Sequence, residues 1–252
     1  MASSFPSSEQ HQVLELKARK LEVRTHEAKP KDGQQPRGIA IVCHPHPLYG
    51  GTMDNKVVHT LCRAYRDLGI HAVRFNFRGV GQSEGTYDNG KGEQDDLALM
   101  LEWAHKLEPA LPIYLAGFSF GAFVAASYAN QAAESISQKN KTDDTRFTVK
   151  HLLLVAPPVH HFGLDNIKSF SCPLAIIQGL DDEVVPAEKV INWAKSVQIK
   201  NSSADNKSIK FQPPQLFTLE QTSHFFHGKL NELKTCVGNA IGEENKRSDL
   251  LL

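Results

Sequence analysis

The apolar positions of this chain fall into short runs separated by longer amphipathic stretches. Residues 21–27 alternate apolar and polar, as a strand buried on one face does. Six further runs are continuously apolar: 38–43 (GIAIVC), 71–77 (HAVRFNF), 113–118 (IYLAGF), 151–156 (HLLLVA), 173–178 (PLAIIQ) and 215–219 (QLFTL). Runs of that length suit strands covered on both faces, the condition of a parallel sheet. Between them lie helical patterns. Residues 55–68 carry Val57, Val58, Leu61, Cys62 and Tyr65 at helical spacing, and residues 93–107 carry Leu97, Met100, Leu101 and Ala104. Residues 120–133 are rich in alanine, the strongest helix former, and 187–197 and 229–241 complete the set. Strands alternating with helices predict an α/β protein built on a doubly wound, mostly parallel sheet.

Polar stretches at 134–148 and 200–214 read as surface loops, and neither is placed to form a large lid. The polar N-terminus has no apolar stretch of signal-peptide length, so the first fifteen residues are expected to be disordered and residues 16–252 to form one domain. No run approaches membrane-spanning length, which predicts no membrane partner and a cytoplasmic location.

Composition adds little beyond exclusions. Twenty-eight Lys plus Arg balance twenty-eight Asp plus Glu, so the basic excess that nucleic-acid binding requires is missing. The four cysteines, Cys43, Cys62, Cys172 and Cys236, form no CxxC pair and are expected to be free thiols. A two-fold homodimer is the base-rate expectation for oligomeric state.

The chemistry is carried by three loops that follow predicted strands. Residues 117–121 read Gly-Phe-Ser-Phe-Gly, a G-x-S-x-G pattern between an apolar strand and an alanine-rich helix. That context makes Ser119 a candidate nucleophile on a sharp strand-to-helix turn, where the flanking glycines allow close backbone approach. A serine hydroxyl needs a base, and an acid to orient that base, and both must come from loops on the same sheet edge. After 173–178, the acids Asp181, Asp182 and Glu183 are all available. After 215–219 comes His224, with His227 as its rival nearer the next helix; His224 lies where a base is needed.

Two backbone N–H groups must face the developing oxyanion. Phe120, directly after Ser119, is one. The loop after 38–43 should supply the other; there Pro45 and Pro47 have no N–H, which leaves His46, with Leu48 as a fallback. His44 and His46 lack the spacing and supporting carboxylates of a metal site, so neither metal nor cofactor is expected. Leu48, Tyr49, Phe118 and Phe225 are candidates to line a substrate site, with Phe120 and Phe162 beside them.

Taken together, HPHPLYGGTMDNKVV, FNFRGVGQSEG, GFSFGA, GLDDEVVP and SHFF resemble the small α/β-hydrolases of bacteria with little or no lid, close to the dienelactone-hydrolase-like group. The resemblance runs from about residue 20 onward. It implies the α/β-hydrolase fold, and it selects Asp182 as the acid and His224 as the base. It also implies that Arg78 anchors the loop after the third strand. Dienelactone hydrolases use a cysteine where this chain has Ser119, so their specific activity is not implied. The expected function is hydrolysis of a small-molecule carboxylic ester or thioester through an acyl-enzyme. Amide cleavage by the same residues, and a non-catalytic interaction protein on the same fold, are the alternatives.

Overall fold

A computed structural model describes residues 5–17, 19–31, 33–137, 149–202 and 209–249. In chain order the elements are β1 (Gln10–Leu16), β2 (Arg19–His26), β3 (Ile39–Cys43), α1 (Lys56–Asp67), β4 (His71–Phe75), α2 (Lys91–Leu107), β5 (Ile113–Phe118), α3 (Phe120–Ser137), β6 (Val149–Val155), β7 (Ser169–Phe170), β8 (Leu174–Gly179), α4 (Ala187–Ser196), β9 (Gln198–Ser202), β10 (Ile209–Gln212), β11 (Gln215–Leu219) and α5 (Leu230–Asp249). The main sheet has eight strands in the order β1-β2-β4-β3-β5-β6-β8-β11. β2 runs antiparallel to β1 and β4, and the remaining pairs are parallel.

Strand periodicity splits the core into two layers. In β3, Ile39, Ile41 and Cys43 join one cluster while Ala40 and Val42 join the other. β5, β6 and β8 divide in the same way, as successive side chains in a strand must. Leu97 and Met100 of α2, Phe123 of α3 and Trp193 of α4 cover the first face. Leu61 and Tyr65 of α1 and Leu233 and Val237 of α5 cover the second. Both faces are therefore dry, and this explains why the central strands read as unbroken apolar runs.

Two sequence expectations need correction. The first fifteen residues are not all loose: Gln10–Leu16 form β1, paired residue for residue with β2, and buried Phe5 stacks on His71 at 4.0 Å. β1 was hard to read because it is an edge strand with one face in water, so its apolar content is low. The polar stretch 200–214 is not all loop either. β9 and β10 pair there, and with β7 they form a small second sheet. Most of the polar stretch predicted at 134–148 lies outside the described residues. Between β6 and β8 the chain makes only a 3-10 turn (Leu164–Asn166) and the two-residue β7, and among the described residues no lid covers the sheet edge above β5.

Candidate active site

The carboxyl ends of β3, β5, β8 and β11 converge on Ser119. At Ser119 the backbone turns from β5 into α3 with φ 54°, a left-handed conformation that a serine adopts only when its surroundings impose it. The close packing on either side supplies that constraint. A Cβ on Gly117 would lie 2.1 Å from the Gly121 carbonyl oxygen, and one on Gly121 would lie 2.4 Å from the Cys43 carbonyl oxygen. Ser119 N–H donates to Val155 O at 2.9 Å, and its own carbonyl accepts from Ala122 N–H at 2.8 Å. The side chain is left half-buried at the N-terminus of α3.

The loops after β8 and β11 are clamped together. Leu180 N–H donates to Leu219 O and Asp181 N–H to Thr222 O. Gly179 passes so close that a Cβ there would lie 2.3 Å from Thr222 O. This contact brings Asp182 to His224: the ring Nδ1 lies 2.8 Å from Asp182 Oδ2 and 3.1 Å from Oδ1. On its other side, His224 Nε2 lies 3.0 Å from Ser119 Oγ. With Nδ1–H donating to the carboxylate, Nε2 presents a lone pair to the serine hydroxyl.

The Asp182 carboxylate is fully engaged. Besides His224 it accepts from Val184 N–H (2.9 Å), Val185 N–H (2.7 Å) and the Gln178 side-chain amide (3.0 Å). Burial pushes the Asp182 carboxyl up, but the hydrogen bonds from His224, Val185 and Val184 outweigh it and hold the group below the usual carboxylate range. Among the three acids the geometry separates the roles. Asp182 meets the imidazole, Glu183 accepts the His224 backbone N–H at 3.1 Å, and Asp181 is exposed. His227 is exposed and its ring touches Phe225, not Ser119.

The loop after β3 folds back on itself. His44 is buried with both ring nitrogens occupied: Nδ1–H donates to Pro45 O at 2.6 Å, and Nε2 accepts from Phe77 N–H at 3.0 Å. No lone pair remains for a metal, and burial pulls its pKa down to about 4. Leu48 N–H donates to the His46 ring, Tyr49 and Gly51 N–H to His46 O, and Gly50 N–H to Pro47 O. Between residues 45 and 51, His46 alone has an N–H with no acceptor among the described residues. The same holds for Phe120 N–H.

The expected substrate-lining residues separate. Leu48 and Tyr49 are 67% and 86% exposed on the rim, and Phe225 is 40% exposed. Phe162 joins them at 41%. Phe118 departs from the expectation. It is fully buried, because β5 turns its side chain onto the α1/α5 face, and its ring supports the His224 ring at 5.0 Å.

Sequence reading missed Gln178 and Tyr87, and it weighed Glu183 only as a candidate orienting acid. Gln178 braces Asp182, Glu183 ties down the His224 backbone, and the Tyr87 hydroxyl lies 3.1 Å from His46 Nε2. A polar Gln closing an otherwise apolar strand was the available signal for the first; the other two depend on loops meeting across the fold.

A family model described as Serine aminopeptidase, S33 matches residues 34–140, which include Ser119 but end before Asp182 and His224. The structure of an alpha-beta serine hydrolase homologue from Coxiella burnetii is 38% identical, covers 94% of this chain and 99% of its own, and superposes with a TM-score of 0.76. The Xanthomonas campestris protein XC6422, described as an a/b serine hydrolase without lid, is 34% identical over 95% of this chain and 96% of its own, with a TM-score of 0.77. A lysophosphatidylserine lipase, ABHD12 of Danio rerio, is 24% identical over 64% of this chain; the chain spans about half the length of that relative (49%). The fold and its occupied carboxyl edge thus define a hydrolase. The chain belongs to the α/β-hydrolase superfamily.

Proposed function

We propose that the chain is a serine hydrolase that cleaves carboxylic esters or thioesters of small acyl groups through an acyl-enzyme. The observation that carries this reading is the continuous hydrogen-bond path from Asp182 Oδ2 through both nitrogens of His224 to Ser119 Oγ, at 2.8 and 3.0 Å. His224 Nε2 takes the hydroxyl proton as Ser119 Oγ attacks the substrate carbonyl. Asp182 fixes the imidazole tautomer and stabilises the imidazolium that forms. The N–H groups of His46 and Phe120, with the N-terminus of α3 behind Phe120, stabilise the oxyanion. Collapse of the tetrahedral intermediate breaks the bond to the alcohol or thiol, which leaves with the proton from His224. Water, deprotonated by the same imidazole, then attacks the acyl-enzyme and releases the acid.

The open rim of Leu48, Tyr49, Phe162 and Phe225 supports an apolar acyl or leaving group. The lipase relative supports an ester as the scissile bond. The aminopeptidase description of the matching family model keeps amides as a second reading, because the same residues would cleave them. Purified protein should hydrolyse p-nitrophenyl acetate and butyrate and react covalently with a fluorophosphonate. Equal labelling of Ser119→Ala would rule out the nucleophile, and faster turnover of aminoacyl anilides than of matched esters would favour the amide reading.

A further inference from the structure

The His46 imidazole is not needed to supply a backbone N–H, yet both of its ring nitrogens are hydrogen-bonded. Its Nδ1 accepts from Leu48 N–H at 3.2 Å and so caps the 3-10 turn Pro47–Tyr49. That fixes the tautomer: Nε2 carries the proton and donates it to Tyr87 Oη at 3.1 Å. The ring also packs against Tyr49 (4.7 Å), Tyr87 (4.9 Å) and Phe120 (4.9 Å), and Phe120 is the residue expected to give the second oxyanion donor.

The residues that follow Tyr87 are tied to the first turn of α2. Asp88 N–H donates to Glu93 Oε1 at 2.9 Å and Gly90 N–H to Glu93 Oε2 at 2.7 Å, and Glu93 is fully buried at the start of α2. A chain of contacts therefore runs from the first turn of α2 through residues 88–90 and Tyr87 to His46. It ends on the one amide of residues 45–51 left without an acceptor among the described residues.

We propose that the His46 side chain is a positioning residue for its own backbone N–H, and that Tyr87 is its anchor on the neighbouring loop. The inference rests on the hydrolase reading above, with His46 N–H as an oxyanion donor. The imidazole holds two loops at one separation, the β3–α1 loop by the cap and the β4–α2 loop by the hydroxyl. The amide direction is thereby set before substrate arrives. Preorganisation of this kind acts on the transition state and not on ground-state binding, so it should appear in kcat.

The test is a small mutant cycle read by steady-state kinetics on p-nitrophenyl butyrate, with inhibition by a trifluoromethyl ketone as a transition-state probe. His46→Ala should lower kcat by ~10- to 100-fold with KM changed by less than about threefold, since misdirecting a donor costs less than the 10²–10³ of deleting one. The trifluoromethyl ketone should weaken in parallel. His46→Asn restores the cap, because its side-chain oxygen accepts from the same N–H, but it is too short to reach Tyr87. It should recover much of the loss. Tyr87→Phe should cost a few-fold in the wild-type background and nothing further in His46→Asn, because both changes sever one link. Unchanged kcat in His46→Ala, or a rise in KM alone, overturns the inference, as does an additive loss from Tyr87→Phe in the Asn background. If His46→Ala does not fold, the Asn and Phe variants still carry the test. Absence of turnover and of Ser119 labelling in the wild-type protein would instead defeat the underlying hydrolase reading.

Discussion

Two buried carboxylates in this molecule, Asp96 and Asp182, are held in different ways. Asp96 is closed: Arg78 grips it with Nε at 3.0 Å and Nη2 at 2.9 Å, and the Arg78 backbone N–H donates to it at 2.9 Å. Asp182 is just as well satisfied, with donors from His224, Gln178, Val184 and Val185, but its network does not end in the protein interior. It continues through an imidazole to a half-buried hydroxyl beside amides that have no acceptor among the described residues. A closed network locks geometry. An open one holds geometry and keeps one donor–acceptor step unspent, which is the requirement for moving a proton. Backbone strain follows the same division. Of the eight non-glycine residues with positive φ among the described residues, Ser119, Ala156, Phe162, Gln221 and Phe226 follow the carboxyl ends of β5, β6 and β11, on the side of the open network.

The contrast is tested most severely at its open end. Ser119→Ala should reduce ester turnover by ~10⁴-fold or more while leaving the unfolding midpoint nearly unchanged, because the hydroxyl terminates the chain and holds nothing else together. Kinetics and chemical denaturation on the same preparation check both halves. The reverse pattern is expected at the closed carboxylate. Arg78→Ala removes both side-chain hydrogen bonds from buried Asp96, which keeps only the residue 78 backbone N–H and Arg19 Nε at 3.5 Å, and should cost about 3 kcal/mol of stability. Turnover by whatever remains folded should fall much less than in Ser119→Ala. A stable Arg78→Ala protein with lost activity would erase the distinction drawn here.

Buried neutral histidines set a third expectation. Burial pulls His26 and His44 down to about 4 and His151 to about 3, against 6.5 for a free imidazole. In the unfolded chain these rings bind protons as the pH drops below about 6.5; in the fold they do not until near pH 4. The unfolded state therefore binds more protons across that window, and stability must fall as pH falls through it, by up to about 1.4 kcal/mol per pH unit for each ring. Denaturant midpoints at pH 7.5, 6 and 5 measure the slope. A flat profile would mean that these rings titrate normally.

How much of this could be read from the residues alone differs between the two kinds of network. The central strands and the helices between them were legible to within a few residues, because burial on both faces writes itself as unbroken apolar runs. The edge elements β1, β7, β9 and β10 were not, since a short or half-wet strand leaves a weak pattern. Ser119, Asp182 and His224 were legible because each sits directly after a readable strand, although the choice of Asp182 over Asp181 leaned on family resemblance. Tyr87, and the hold of Glu183 on the His224 backbone, were not legible. These two side chains reach their partners across 41 residues each, and no local pattern encodes such contacts.

The finest test lies at Gln178, where the two kinds of network can be compared within one side chain. Its amide nitrogen lies 3.0 Å from Asp182 Oδ2, 3.0 Å from Gly179 O and 3.3 Å from Val185 O, while its buried oxygen has no hydrogen-bond partner among the described residues. A half-satisfied amide in a dry layer is a poor source of stability, so Gln178→Leu should change the unfolding free energy by no more than about 1 kcal/mol. What the substitution removes is one of the donors that hold the Asp182 carboxylate aimed at His224 Nδ1. The carboxylate keeps His224 and two backbone N–H groups, so its orientation should loosen without being lost, and kcat should fall by roughly tenfold with KM unchanged. If stability collapsed instead, Gln178 would belong with Arg78 among the closed contacts. If kcat did not move, Val184 and Val185 alone would suffice to hold the acid.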